Sequence, residues 1–359
     1  MNKILKPKIV LFIRSLNLGG SEKQSLLLTE ELNKTYDTTL IVFYKEGNLL
    51  EHIDETKKMF FFPNGNFFKK SLQIYIFLKK NKTNIMINYL PLNNILGAIL
   101  GKLAGVDKIY IGIRGAKLKA NYFKRRFQYY ISRKIAHGTI SNSFKAKEIH
   151  TNYGYETSKF YTIHNAIYTL NKYRKGNESE VVNIISVGRF VNEKDYHTAI
   201  KSMSVLNEIL KDKSIKWKYT IIGYGNLKEE LAITIKKYGL EAKIELADGR
   251  VNVDQYYKSA NIYLSTSMHE GMSNTIMEAM SFSLPIIATS AGDTQYLVAH
   301  QKNGFLCEIG DFNSITKALL ELIKSKELRK NMGLKSYNKI IEEFSVQKMV
   351  SNYESLLNL

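Results

Sequence analysis

The chain is short of cysteine, of acidic residues and of long apolar runs, and each shortage removes a class of protein. Its 359 residues hold one cysteine, Cys307. One thiol builds neither an internal disulfide framework nor a cysteine zinc cluster, so a reducing cytoplasm is the expected home. The longest apolar stretch, residues 92–106, is interrupted by Asn93, Asn94 and Lys102, which leaves nothing long enough to span a bilayer. The apolar run at residues 9–13 is too short for a signal-peptide core, and no small-residue cleavage site follows it. There is no G-x-G-x-x-G loop, so a nicotinamide site is not indicated. No Asp-x-Asp cluster is placed to hold a metal. Acids number 33 against 52 lysines and arginines, a net charge of +19. The surplus is uneven: residues 1–165 carry 27 cations against 11 acids, the remainder 25 against 22. The first half is built to meet something anionic: nucleic acid, an anionic membrane surface or a phosphorylated substrate.

What is present is enough for two packed cores, at 44% hydrophobic content. Strand-like runs at 9–13, 38–44, 59–63, 85–89, 108–113, 138–143 and 160–167 alternate with helical patterns, among them 69–80 and 94–104. That alternation predicts a parallel sheet. Residues 168–180 are polar and patternless and read as a linker. The alternation restarts at 182–187 and continues, with a last helix expected at 345–357.

Two strand–loop–helix junctions in the second half concentrate polar chemistry. Residues 267–280 place Glu270 just before a helix start at Ser273, Asn274 and Thr275, with Glu278 about one turn inside and Gly271 expected to free the turn. A helix start suits a phosphate, and two carboxylates suit the hydroxyls of a sugar or ribose. The bland alternative is a capped helix with two solvated glutamates. At the other junction, Gly188-Arg189 precedes Lys194 by a turn, and two cations across a bend can grip one diphosphate. The alternative is a salt bridge from Lys194 to Glu193 or Asp195. In the first half, Gly19-Gly20 opens a helix, either for close ligand approach or simply as a tight turn. Arg114 ends the fifth strand, where it meets either a ligand or a partner within its own domain. Residues 117–134 are both basic and aromatic. They fit an interfacial membrane segment, nucleic-acid stacking, or an ordinary surface helix with buried rings. A second basic-aromatic patch, Phe67 to Lys70, favours the membrane.

The Gly19-Gly20 loop, Gly188-Arg189 with Lys194, a Gly223-x-Gly225 turn, and Glu270 and Glu278 separated by seven residues occur in that order. In this the chain resembles the retaining family-4 glycosyltransferases, glycosyl transferases group 1, of the bacterial surface-polysaccharide type. The resemblance implies an α/β fold of two Rossmann-like domains facing each other across a cleft, the GT-B arrangement, with a C-terminal helix crossing back. It implies domains at 1–167 (acceptor and membrane side), 181–340 (nucleotide-sugar donor side) and a final helix at 341–359. Glu270, Arg189 and Lys194 are then the catalytic set. Gly19, Gly20, Gly188, Gly223, Arg250, Val251, Gly271, Met272, Ser273, Asn274, Thr275 and Glu278 hold the donor. Arg114 and Asn165 face the acceptor or the sugar. No cofactor and no metal are implied. The expected reaction moves a hexose or N-acetylhexosamine from a nucleotide-sugar, UDP favoured over GDP, to a lipid-linked saccharide in O-antigen or capsule assembly. The expected location is peripheral, on the inner membrane face through residues 60–80 and 117–134. Three departures stand out: Arg114 where many relatives have histidine, Ala166 where they have glycine, and Tyr224 where they have an acid. The alternatives are a two-domain sugar-nucleotide epimerase, and a basic nucleic-acid-binding protein.

Overall fold

The structure is a computed structural model that describes residues 6–17, 19–54, 57, 59–114, 122–167, 180–249 and 253–359. It divides into two units: residues 1–165 with 346–359, and residues 166–345. Most of the expected linker, 168–179, lies outside the described residues.

Unit 1 is a seven-stranded sheet in the order β3-β2-β1-β4-β5-β6-β7. Its strands are β1 (Lys8–Ile13), β2 (Asp37–Val42), β3 (Phe60–Phe61), β4 (Ile85–Tyr89), β5 (Lys108–Ile113), β6 (Gly138–Ser141) and β7 (Phe160–Thr162). Every pairing is parallel; Ile9 lies level with Thr38 on one side and Ile85 on the other. Continuous apolar runs suit such strands because helices cover both faces. Residues 9–13 of β1 are accordingly almost wholly buried. The helices are α1 (Gly20–Asn33), α2 (Phe67–Lys80), α3 (Pro91–Ala104), α4 (Tyr122–Lys134) and α5 (Phe144–Asn152).

Local chemistry sets their ends. The Asn66 side chain accepts from the Lys69 amide at 2.9 Å and starts α2 two residues before its apolar periodicity does. Pro91 sits in the first turn of α3, and Gly105 closes that helix in the left-handed region at φ 79°.

Unit 2 has six parallel strands in the order β10-β9-β8-β11-β12-β13. They are β8 (Val181–Val187), β9 (Lys216–Gly223), β10 (Ile244–Asp248), β11 (Ile262–Ser265), β12 (Ile286–Thr289) and β13 (Gly304–Cys307). The helices are α6 (Tyr196–Ile209), α7 (Lys228–Lys237), α8 (Asp254–Ser259), α9 (Asn274–Ser281), α10 (Thr294–Leu297), α11 (Phe312–Lys324) and α12 (Lys326–Glu343). Strand order reverses between β8 and β11. In open α/β sheets a ligand binds beyond the strand ends at that switch point.

The final helix, α13 (Val346–Leu357), belongs to unit 1. Tyr36 donates to Glu354 at 2.9 Å, and Lys108 donates to the Leu357 carbonyl at 2.7 Å. Residues 341–345, expected to open the last helix, stay with unit 2. Ile340 and Phe344 are buried in a core cluster with Tyr257, Met280 and Phe282, and Ile167 donates to the Phe344 carbonyl. The third strand is shorter than its aromatic run of 59–63 predicts, and Pro63 carries no amide to continue a ladder.

Candidate active site

The switch point of unit 2 gathers the charged residues of both junctions. Lys194 leaves the loop after β8, and its Nζ lies 2.6 Å from Glu270 Oε1, in the loop after β11. Ser267 donates to the same carboxylate oxygen at 2.8 Å. Both partners of the pair are mostly buried, at 20% and 14% side-chain exposure, which shields them from the screening that weakens surface pairs. Lys194 therefore pairs with neither Glu193 nor Asp195. The Asp195 carboxylate instead caps α6 through the Thr198 amide and hydroxyl, from a left-handed conformation at φ 46° that aspartate tolerates.

The two loops are stitched by backbone. The Met268 amide donates to the Glu193 carbonyl at 2.9 Å, and the Thr266 hydroxyl donates to the Lys194 and Asp195 carbonyls, both at 2.9 Å. A third loop, after β12, holds the other side. Thr289 donates to the Ser267 carbonyl at 2.6 Å, and the Asp293 amide to the Gly271 carbonyl at 3.1 Å. The left-handed residue here is Gly292, at φ 58°, and not Gly271, which has no positive φ. A Cβ on Gly292 would collide with the Glu270 carbonyl oxygen. The turn's freedom is thus needed one loop away from where the sequence places it, because the β12 loop must approach the Glu270 backbone closely.

Glu278 lies within α9, and its Oε2 accepts from the Tyr257 hydroxyl at 2.8 Å. Tyr257 comes from α8, is 1% exposed, and stacks between Phe282 at 5.3 Å and Tyr263 at 6.1 Å. Burial, and then the Glu278 charge, push its phenol well above the ordinary range, so it stays a donor. Ser273 heads α9 without capping it; its hydroxyl lies 3.3 Å from that of Thr275. A helix start of this kind carries partial positive charge. Met272 is 5% exposed and packs in the core. Arg189 is exposed to solvent.

Three strands end in backbone-to-backbone contact beside this cluster. The Gly188 amide donates to the Ile222 carbonyl and the Gly249 amide to the Gly223 carbonyl. A Cβ on Gly223 would strike the Gly188 carbonyl, and one on Gly249 would come within 2.7 Å of the Gly223 Cα. The floor beyond β8, β9 and β10 is therefore bare main chain. Arg250 and Val251, expected at its edge, lie outside the described residues.

In unit 1, Gly19 caps α1 and Gly20 opens it. A Cβ on Gly19 would meet the Glu22 carboxylate, which folds back against the helix start expected to meet the donor. Arg114 stands over the Tyr89 ring, 4.8 Å from its centroid, and its guanidinium donates to the Tyr353 hydroxyl of α13 at 3.2 Å. Its Nε is buried with no partner among the described residues. Asn165 is 5% exposed. His164 bonds the Asn142 carbonyl at 3.1 Å and meets the Phe144 ring edge-on, while His269 is exposed. Among the described residues no three His, Cys, Asp or Glu side chains form a metal-holding group.

Residues to which the sequence reading gave no role at the site are Tyr257, Ser267, Thr266 and Gly292. Tyr257 reads as core because it is core; only its hydroxyl is spent on the site. Ser267 lies three residues before Glu270, a spacing that a loop reading leaves open.

Residues 171–339 match the family model of glycosyl transferases group 1. The chain is 27% identical over 368 residues to the UDP-Gal:alpha-D-GlcNAc-diphosphoundecaprenol alpha-1,3-galactosyltransferase of Escherichia coli, covering 94% of this chain and 93% of that one. It is 31% identical over 175 residues to an uncharacterized glycosyltransferase of Haemophilus influenzae, spanning about half of each, 48% and 48%. The solved structure of Anabaena HepE in complex with UDP superposes with a TM-score of 0.83 at 17% identity, over 98% of this chain and 100% of that one. That likeness is one of fold: two Rossmann-like α/β units of the GT-B class. The chain is thus similar to a bacterial glycosyltransferase over nearly its whole length, and residues 171–339, just under half of it, match the group 1 model.

Proposed function

We propose that the protein is a retaining transferase that moves a hexose or N-acetylhexosamine from a UDP-sugar to a lipid-linked saccharide, without a metal, in surface-polysaccharide assembly. The observation that carries the reading is the Lys194–Glu270 pair, 2.6 Å apart beside the uncapped start of α9. The E. coli relative's own donor and acceptor are a UDP-sugar and a diphosphoundecaprenol-linked sugar, which favours that pairing of substrates here.

The charges explain how transfer proceeds. Breaking the bond between sugar C1 and the β-phosphate oxygen leaves an anionic nucleotide and a sugar with cationic character. Lys194, Arg189 and the first-turn amides of α9 meet the departing diphosphate, where positive charge lowers the barrier most. The diphosphate draws Lys194 from Glu270. Glu270 keeps Ser267 and turns its other oxygen to sugar hydroxyls. Glu278, aimed by Tyr257, takes the ribose hydroxyls. The acceptor oxygen attacks C1 on the face the phosphate leaves, and its proton passes to the leaving phosphate oxygen. Configuration is kept, and no protein base is required. Arg114, which directly follows β5, is the residue to meet an acceptor hydroxyl or phosphate.

The test is acceptor-dependent UDP release from a panel of UDP- and GDP-sugars. Glu270→Ala and Lys194→Ala each abolish transfer, a loss of about a thousandfold or more, while circular dichroism stays unchanged. A chelator leaves the rate unaltered. Near-normal turnover in either variant sinks the proposal, and acceptor-free interconversion of two UDP-sugars would establish the epimerase instead.

A further inference from the structure

Four tyrosines bury their rings around the switch point of unit 2: Tyr196, Tyr219, Tyr257 and Tyr263, each 4% exposed or less. A buried phenol ordinarily keeps a partner for its hydroxyl, and three of the four do. Tyr219 lies 2.7 Å from the Ser186 hydroxyl, Tyr257 donates to Glu278 at 2.8 Å, and Tyr263 donates to the Val187 carbonyl at 3.4 Å. The Tyr196 hydroxyl makes no hydrogen bond among the described residues.

Sequence and packing set where that hydroxyl stands. Tyr196 opens α6 directly after Asp195, whose left-handed φ of 46° turns the chain between Lys194 and the helix. The ring meets Phe190 edge-on at 5.8 Å, which fixes the direction of the C–O bond. The hydroxyl lies 2.9 Å from the point that a Cβ on Gly188 would occupy, and the Lys194 Cε lies 3.1 Å from the same point. The phenol and the lysine stem therefore share the space in front of Gly188 that a side chain there would fill. Burial, then the neighbouring phenols of Tyr219 and Tyr263 and the Glu270 charge, push the Tyr196 phenol well above its ordinary range, so it keeps its proton and can donate.

We infer that Tyr196 is a further diphosphate-binding residue, whose hydroxyl donates to the β-phosphate of a nucleoside diphosphate beside Lys194. The inference rests on the donor site proposed above and adds a contact to it. Lys194 leads from the Gly188 space to Glu270, which takes sugar hydroxyls, so the phosphate that carries the sugar is the one within reach. Glu270 already claims the lysine at 2.6 Å, whereas no described residue claims the phenol, so the phenol engages a phosphate without breaking a bond within the protein. A hydrogen bond to an oxygen strengthens as charge develops on it, so the contact favours the leaving diphosphate over the intact donor.

Tyr196→Phe keeps the ring and its contact with Phe190 and removes only the donor. Calorimetric titration with UDP and with UMP is the test. The variant binds UDP about tenfold to a hundredfold more weakly, and binds UMP as wild type does, since UMP has no β-phosphate. In steady state kcat falls with kcat/KM, while KM for the UDP-sugar changes little. Tyr219→Phe removes a hydroxyl already bonded to Ser186; it lowers the melting temperature and leaves the affinity for both nucleotides unchanged. Equal UDP affinity in wild type and Tyr196→Phe overturns the assignment and leaves the donor site standing. Loss of UDP and UMP affinity alike, or an equal loss in Tyr219→Phe, overturns it in favour of a packing role. The expected split between UDP and UMP in a chain that transfers no sugar keeps Tyr196 in a diphosphate site and sinks the transferase reading alone.

Discussion

Tyr257 spends its ring on the core and its hydroxyl on the site. The ring is buried between Tyr263 and Phe282, so the oxygen reaches Glu278 from a fixed direction. Tyr257→Phe keeps the stack and removes one hydrogen bond to a carboxylate, an interaction of about 2 kcal/mol. Under the proposed roles the Michaelis constant for the donor rises about tenfold to thirtyfold, while kcat changes little, because Glu278 holds the ribose alike before and during transfer. Thermal denaturation separates this from a folding defect: the melting temperature moves only slightly. A kcat that falls in step with kcat/KM places Tyr257 and Glu278 in the chemical step instead. Glu270, Glu278 and Lys194 were legible in the sequence because charge at a strand-to-helix junction is conspicuous. Tyr257 was not, because a buried aromatic on a six-residue helix has the same pattern whether its hydroxyl is used or idle.

Among elements, the decisive set is three consecutive strand-end loops, after β8, β11 and β12, held mainly by backbone bonds and small hydroxyls. Their order along the chain is visible in the sequence; their mutual grip is not, since a carbonyl that receives a bond carries no residue identity. Gly292 shows the gap. It lies beyond α9 and its left-handed φ serves the Glu270 loop, which the sequence reading credited to Gly271. Gly292→Ala forces a Cβ into a left-handed backbone, costing about 1–2 kcal/mol, and pushes it at the Glu270 carbonyl. The expected outcome is a modestly lower melting temperature and a loss of turnover much larger than that shift explains, checked by calorimetry beside UDP release. A variant with wild-type turnover would show that the β12 loop does not position Glu270. Helix starts were the other weak point. Phe67 and Phe68 face solvent and break the apolar period of α2, yet Asn66 is the signal that places its start.

At the scale of the whole chain, two sheets of one architecture carry different chemistry. Unit 2 holds the paired carboxylates and cations, and unit 1 holds most of the surplus positive charge. They also differ in how acid acts on them. His150 of α5 is buried against Tyr155 at 5.3 Å, its Nδ1 without a partner among the described residues. Burial lowers its pKa from 6.5 to about 4. Between those values the unfolded chain binds a proton that the folded unit refuses, so stability rises with pH across that window. The contribution is complete above about pH 6.5 and is lost as pH falls toward 4, up to about 3 kcal/mol from the size of the shift. A bound nucleotide acts on the other unit, adding about 2.7 kcal/mol at a hundred times its dissociation constant. Hydrogen exchange read along the whole chain distinguishes the two. Lowering pH from 7 to 5, with rates corrected for intrinsic exchange, speeds opening in β6, α5 and β7. Adding UDP at either pH slows it around β8, β9 and α9. His150→Phe fills the same space without a titrating nitrogen and flattens the acid response of unit 1, while the UDP protection in unit 2 stays as it was. An acid response that survives His150→Phe unchanged would assign the lability to other groups of unit 1, and UDP protection confined to unit 1 would remove the switch point of unit 2 as the donor site.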